Sequence, residues 1–335
     1  MFIISITDFL YFLSLSLIAT KIDGDNGIMI EIENATKKYV RNSPPAVDEL
    51  NLKINDGEVL GLVGLNGAGK TTTIRMIAGI LLPTSGRIRV DGFDVVKEKV
   101  KASYNVGWIP ELPNFEPNAK PLTLMKYFGG FYDSKEDMNK RILDLLNSVG
   151  LSNDLNKKLR DYSQGMKKRF AIAESLINDP KNVLFDETLN GLDPEGVKFV
   201  RDLIIDLKRQ GKGIMLSSHI LSEIENLADR VAIIHHGKLI KMLSRSDLKN
   251  LGKTIIHIEI TGNDSSDEIV KETLSQFGTF EKNDGEIILR DLTVPDNDIP
   301  SILRHLVTKG LTVRKFEPVG ESLEEYFFRL IGEKQ

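Results

Sequence analysis

The chain contains no cysteine. Disulfide frameworks, thiolate metal sites and cysteine nucleophiles are therefore excluded; the absence suits a reducing compartment without naming one. Histidine is scarce. The five present (His219, His235, His236, His257, His305) include no pair at the i, i+4 spacing of a helical zinc site. A basic surplus is also lacking: 44 Lys and Arg stand against 48 Asp and Glu, for a formal net charge of −4, with no basic tail. Strong non-specific affinity for nucleic acid needs clustered Lys and Arg facing phosphates, so nucleic acid is not expected as a partner. There is one tryptophan, and no internal repeat or low-complexity tract. What remains, 41% hydrophobic and 27% charged residues, is ordinary for a soluble globular protein. That composition excludes a disordered, collagen-like or multi-span membrane chain. At roughly 150 residues per domain, 335 residues suggest two domains.

Long apolar runs are missing as well, with one exception at the N-terminus. Residues 2–19 are mostly apolar, interrupted by Ser5, Thr7, Asp8, Ser14 and Ser16. About 18 such residues can span a bilayer. Asp8 would cost about 2.5–3.5 kcal/mol there, and no Lys or Arg precedes Lys21, as a secretory signal would require. Regular alternation starts only at Met29-Ile30-Glu31-Ile32-Glu33. The preferred reading places the true start at Met29, with residues 1–28 an upstream artefact or a tail. A membrane anchor is the second reading and a signal peptide the third.

From residue 30 to 240 short apolar runs alternate with longer amphipathic stretches, the pattern of an α/β domain. Val59-Leu60-Gly61-Leu62-Val63, Val183-Leu184-Phe185 and Ile214-Met215-Leu216 are apolar throughout, as strands buried on both faces of a parallel sheet are. Between residues 110 and 165 the pattern turns helical, with Ile142, Leu145, Leu146 and Val149 on one face, and reads as an insertion. His235-His236-Gly237 sits at the tip of a hairpin. After residue 243 the character changes to strand (254–260), helix (267–277), strand (286–289), helix (299–308), strand (312–316) and a closing helix (323–330). That is one strand short of the ferredoxin-like order. The domains expected are thus 29–243 and a small α+β domain, 244–335.

Gly64-Leu65-Asn66-Gly67-Ala68-Gly69-Lys70-Thr71 fits G-x-x-x-x-G-K-[ST] between an apolar strand and a helical segment. Glycines let consecutive backbone N–H groups turn inward around phosphates at the positive end of a helix. Lys70 reaches the β- and γ-phosphates, the Thr71 hydroxyl holds Mg²⁺, and Thr72 is counted with the nucleotide-contacting residues. Four further elements follow: Asp186-Glu187 at the end of an apolar run, Tyr162-Ser163-Gln164-Gly165-Met166 before a helix, Asn190-Gly191-Leu192-Asp193-Pro194, and Ser217-Ser218-His219 ending the next strand.

In this order the residues resemble the nucleotide-binding domain of ABC ATPases over about residues 29–243. The resemblance implies a P-loop α/β fold in which ATP and Mg²⁺ are bound by residues 64–71 (Walker A) and by the Walker B Asp186. It makes Glu187 the residue that polarises the attacking water, His219 the switch histidine, and Asp193 part of the D-loop. Ser163 and Gly165 match the signature that faces an opposing subunit's ATP, and Tyr39 stands where an aromatic ring stacks on adenine. Residues 322–327 resemble, more weakly, the C-terminal extension of drug-exporter-type members. Departures exist: the signature reads Tyr162-Ser163-Gln164-Gly165-Met166 rather than Leu-Ser-Gly-Gly-Gln, Thr188-Leu189 replaces the common Pro-Thr, and Glu111 occupies the usual place of the Q-loop glutamine, where a carboxylate can still bind a Mg²⁺ water.

The resemblance further implies two ATPase domains, from a homodimer or heterodimer, sandwiching two ATPs head to tail, and a separate membrane permease that binds near Glu111 and the helical insertion. The preferred function is the peripheral ATPase subunit of an exporter at the cytoplasmic face of the membrane. The alternatives are a soluble ATPase acting on ribosomes or DNA, which the single ATPase domain and absent heptads oppose, and a non-hydrolysing binding module, which Lys70, Asp186, Glu187 and His219 oppose. Lys167-Lys168-Arg169 is expected to be a solvated helix face, His235-His236 a solvated turn, and His257 and His305 packing or surface residues. No catalytic constellation is found in the C-terminal domain; dimer support or regulation is its default role.

Overall fold

Among the described residues, ten strands run through the first part of the chain: β1 (Ile28–Lys37), β2 (Val47–Asn55), β3 (Val59–Val63), β4 (Ser85–Val90), β5 (Phe93–Asp94), β6 (Val106–Ile109), β7 (Asn182–Asp186), β8 (Gly213–Ser217), β9 (Arg230–His235) and β10 (Lys238–Ser244). They belong to a computed structural model that describes residues 27–132, 137–249, 254–261, 267–283, 286–295, 298–320 and 322–332. The apolar N-terminal stretch, with its three readings, lies outside the described residues. Among those described, no helix is long and apolar enough to cross a membrane. The chain divides into two compact units, with the boundary between Leu243 and Ser244.

In the first unit the apolar runs form a six-stranded sheet, ordered β10-β9-β3-β8-β7-β6. Every residue of β3, β7 and β8 is buried, because neighbours in the sheet and helices on both faces leave them no solvent side. β3 runs parallel to β8 and β9, and β7 parallel to β6 and β8. Leu62 and Asp186 both pair with Ser217, so the carboxyl ends of β3, β7 and β8 finish on one edge. Ligands of open α/β sheets bind at that edge.

A second sheet, β2-β1-β4-β5, is antiparallel throughout, and the sequence reading did not separate it from the parallel core. β1 and β2 are long, but β4 (Ser-Gly-Arg-Ile-Arg-Val) buries only Ile88 and Val90 and β5 has two residues, so little in the sequence marks them as one sheet. Their inward faces nonetheless complete the main core, where Ile32, Leu50, Leu52, Ile54 and Ile88 join Ile74, Met76 and Ile77 from the helix Lys70–Ile77.

The helical insertion carries Pro121–Gly129 and Met138–Ser148 before the long helix Gln164–Ser175. Asp137 caps the second of these, accepting from the backbone N–H of Asn139 and Lys140. Ile142 and Leu146, one turn apart, face inward. Phe170 is fully buried and meets Phe115 edge-on at 4.8 Å.

Glu174, on the Gln164–Ser175 helix near Tyr132, is a part-buried carboxyl, and burial pushes it up to about 7. Burial also pushes the Tyr132 phenol up to about 12, with the Glu174 charge adding to the effect. Below about pH 4.5 the carboxyl is protonated folded or unfolded. Between 4.5 and 7 the unfolded chain releases its proton while the folded chain keeps it, so stability falls as pH rises through that window. At 1.36 kcal/mol per pKa unit, the loss is on the order of 3 kcal/mol by pH 8. Thermal denaturation should therefore show Glu174→Gln melting above the wild type at pH 8 and level with it near pH 4.5.

The second unit contains β11 (Thr254–Thr261), β12 (Thr279–Asn283), β13 (Glu286–Arg290) and β14 (Thr312–Gly320), in the sheet order β12-β13-β11-β14 with every pair antiparallel. The helices Asp267–Leu274 and Ile299–Thr308 fill the two crossovers, giving strand–helix–strand–strand–helix–strand. The strand missing from the sequence reading is β12. Thr-Phe-Glu-Lys-Asn has one apolar residue and carries no strand signal between the expected helix and the turn at 283–285; that helix ends at Leu274 rather than at 277. Ile256, Ile258, Ile287 and Leu289 form the sheet side of this core, against Val270, Leu274, Ile302 and Leu306. The last helix, Leu323–Ile331, opens with a capping box between Ser322 and Glu325.

Candidate nucleotide site

The glycine-rich loop leaves β3 and turns straight into the helix Lys70–Ile77. Gly69 takes φ +108°, and a Cβ there would stand 2.4 Å from the Ala46 carbonyl oxygen; no other residue fits. Gly64 is pinned differently, since its Cβ would meet the Ile234 carbonyl at 2.4 Å. Leu65 is half-buried, Asn66 and Gly67 are exposed, and Ala68 is buried with its carbonyl accepting from Gly237 N–H. The loop is thus clamped from outside while its tip stays open to a ligand at a helix N-terminus.

Lys70 is 6% exposed. Its ammonium donates to the carbonyls of Gly64 (2.6 Å) and Leu65 (3.3 Å) and pairs with Glu187 Oε1 at 3.2 Å. Thr71 Oγ1 donates to Asp186 Oδ1 at 3.1 Å, and Ser217 Oγ reaches the same oxygen at 3.1 Å. Burial raises the Asp186 carboxyl above its ordinary range, against hydrogen bonds from Ser217 and Thr71 and the charge of Arg75.

Glu187 has a backbone φ of +50°, outside the comfortable range of a non-glycine residue. Its N–H is fixed to the Ser217 carbonyl (3.1 Å) and hydroxyl (3.0 Å). Its Oε2 accepts from Asn190 Nδ2 at 2.6 Å and lies 2.9 Å from His219 Nδ1. Burial alone would raise this carboxyl, but the Asn190 hydrogen bond, the Lys70 charge and the His219 hydrogen bond together hold it below its ordinary value. Strained backbone of this kind gathers at functional sites.

Tyr39 is 59% exposed, with its hydroxyl 3.2 Å from Thr72 Oγ1. That bond ties the ring to the first turn of the Lys70–Ile77 helix. Glu111 is exposed just beyond β6; among the described residues no hydrogen bond or ion pair joins it to Thr71 or Asp186. Ser163 is exposed and caps the Gln164–Ser175 helix by accepting from Met166 N–H at 3.2 Å, with Gly165 in its first turn. Neither is hydrogen-bonded to the phosphate loop. Asp193 caps the helix Pro194–Arg209 in the same way, through Gly196 N–H.

Among the described residues no group of three or more His, Cys, Asp or Glu converges as a metal site. Mg²⁺ does not need one, because it takes one or two carboxylates and completes its shell with water and substrate phosphates. The Thr71 hydroxyl and Asp186 carboxylate, already touching one another, fit it.

One expectation fails. Lys168 is not on a solvated face but 5% exposed, donating to the carbonyls of Thr188 (2.9 Å) and Asn190. Arg169 is also engaged, with Val149 and over the Phe199 ring. Asn190 and Ser217, both in quoted motifs, were given no role from sequence. Only their contacts with Glu187 and Asp186 reveal one. His236 sits in the turn with φ +47°, while His257 and His305 hydrogen-bond Glu286 and Gln276.

Residues 47–190 match the family model described as ABC transporter. The bacitracin transport ATP-binding protein BcrA of Bacillus licheniformis is 34% identical over 318 residues, covering 91% of this chain and 97% of that protein. The chain belongs to the ATP-binding proteins of ABC transporters. As such it binds and hydrolyses ATP with Mg²⁺, in ATPase pairs that serve a separate membrane permease from the cytoplasmic face of the membrane. The lantibiotic transport ATP-binding protein SrtF of Streptococcus pyogenes is 39% identical over 212 residues, 63% of this chain and 89% of that protein. Among solved structures, an ATP-binding subunit of an ABC transporter superposes with a TM-score of 0.61 at 27% identity, over 65% of this chain and 91% of that one. A dimeric ATP-binding cassette bound to ADP and Pi, at 23% identity and TM-score 0.60, shares the fold over 65% of this chain.

Proposed function

We propose that this ATPase drives an exporter of peptide-antibiotic-like cargo, with Lys70, Thr71, Asp186, Glu187 and His219 as the hydrolytic set. The convergence of Lys70, Asn190 and His219 on the buried Glu187 carboxylate carries the assignment of roles. The bacitracin and lantibiotic relatives support the direction and class of cargo.

Lys70 receives the β- and γ-phosphates, leaving the Gly64 and Leu65 carbonyls, while Tyr39 offers its exposed ring to the adenine. Thr71 and Asp186 hold Mg²⁺, which neutralises phosphate charge when bound. Glu187 orients and deprotonates the attacking water, and His219, 60% exposed at its side chain and bonded to Glu187, is free on its other side to meet the γ-phosphate. Ser163 and Gly165, at the N-terminus of the Gln164–Ser175 helix, present N–H groups and the helix dipole to the γ-phosphate of the opposing subunit's ATP. Contacts that exist only with that phosphate present make closure depend on ATP, and hydrolysis releases it. Glu111, exposed just beyond β6, takes the place of the Q-loop glutamine, where a carboxylate can bind a Mg²⁺ water, and its position beside the insertion suits the permease side.

The experiment is a pull-down of tagged Glu187→Gln chain from detergent-solubilised native membranes with ATP and Mg²⁺. A polytopic membrane protein in stoichiometric amount is the expected partner, and loss of this chain should sensitise cells to a peptide antibiotic. Ribosomal proteins or nucleic acid with no membrane partner would overturn the transporter reading.

A further inference from the structure

Lys168 is a buried cation with an unusual set of partners. Its ammonium donates to two backbone carbonyls, those of Thr188 and Asn190, and among the described residues no carboxylate lies within ion-pair distance of it. The charges of Glu111 and Glu187 act on it from farther off, but burying an ammonium with no carboxylate in direct contact is costly. A residue needed only to fill this space would more cheaply be apolar.

The two carbonyls bracket Leu189, itself buried, in the segment directly after Glu187. The same Asn190 that receives Lys168 on its main chain donates its side-chain amide to Glu187 Oε2. Asn190 N–H also closes a turn onto the Glu187 carbonyl at 3.2 Å. Asn190 Oδ1 is buried with no hydrogen-bond partner, so the side chain is held by what its amide donates to. At the other end, Lys168 lies five residues beyond Ser163 on a continuous helix. A rigid path therefore runs from Ser163 through the helix to Lys168, across two carbonyls to Asn190, and on to the Glu187 carboxylate.

We propose that Lys168 is a positioning residue for Glu187: it ties the helix bearing Ser163 and Gly165 to the Thr188–Asn190 segment, so that seating of that helix on an opposing subunit's phosphate is relayed to the Glu187 carboxylate. The proposal rests on the roles given above to Glu187 and Ser163. Displacement of a catalytic group by about 1 Å can cost about 10²-fold in rate. A link that is broken should therefore lower kcat while leaving the nucleotide pocket intact.

The test uses the full chain as Lys168→Met, Lys168→Arg, Asn190→Ala and the Lys168→Met/Asn190→Ala double variant. Phosphate release gives kcat and KM, a fluorescent ATP analogue gives affinity, and thermal melting reports the fold. Lys168→Met should lose about 10²-fold in kcat with nucleotide affinity unchanged, and Lys168→Arg, which keeps the donors, should recover part of it. Because both act through one link, the double variant should be no slower than the slower single one. Where Lys168→Met does not fold, Lys168→Gln, which keeps a donor but cannot hold both carbonyls as the ammonium does, takes its place and must still cut kcat. Wild-type kcat in either folded variant, or losses that multiply in the double, would overturn the relay. Failure of the underlying roles is distinguishable, because then Glu187→Gln itself would turn over normally.

Discussion

Glu187→Gln should bind ATP and hydrolyse it at about 10⁻² to 10⁻³ of the wild-type rate, the loss typical of removing one preorganised group. The reason lies in what Glu187 touches. The carboxylate is satisfied by Lys70, Asn190 and His219, and these partners more than offset the effect of burial on its proton affinity. An acid so strong is a poor base. When Lys70 moves onto the phosphates, the carboxylate loses its buried cation and its proton affinity rises, which makes it a better base only once substrate is in place. An amide keeps the shape and one acceptor but has no such response. It also gives Lys70 no ionic partner to leave, so ATP affinity should be equal or higher. Phosphate release at saturating ATP, beside equilibrium ATP binding, checks both halves.

Lys70→Ala should raise the Kd for ATP by about 10²-fold or more, since charge-assisted hydrogen bonds are worth about 1.5–3 kcal/mol each and Lys70 is placed to make two. Unlike an exposed loop lysine, it should also weaken the empty protein. The Lys70–Glu187 pair is buried, with side chains 6% and 8% exposed, and removing one member of a buried pair typically costs about 3–5 kcal/mol because the other charge is stranded. Lys70→Ala/Glu187→Gln, with neither charge, should regain most of that stability without regaining ATP binding. Isothermal titration and thermal melting of the two variants separate the phosphate contact from the ion pair.

Much of this site could be read from the chain because its chemistry is local. The glycines, Lys70 and Thr71 lie within eight residues, and Asp186-Glu187 and Ser217-Ser218-His219 each end a short apolar run that reads as a buried parallel strand. Parallel pairing then brings all three ends to one edge without further information. What escaped the sequence is what depends on contacts between segments. Lys168 reads as one of three consecutive cations on a helix, and its burial follows from the Thr188–Asn190 segment passing beneath it. Asn190 looks like an ordinary turn residue until its amide is seen on Glu187. The antiparallel sheet and β12 were missed for a different reason. β4 and β12 are short, with one or two apolar residues and no clear period, while the longer β1 and β2 carry no mark of which sheet they join; that pairing is set by their neighbours.

On the proposed roles, each ATP is held between Lys70 of one subunit and the Ser163–Gly165 helix end of another. Light scattering of the full-length Glu187→Gln chain tests it most directly. With ATP and Mg²⁺ the mass should double relative to the same protein with ADP, and adding Ser163→Arg should return it to the single-chain value while ATP remains bound. A mass that does not respond to ATP, or a dimer that ignores Ser163→Arg, would contradict it.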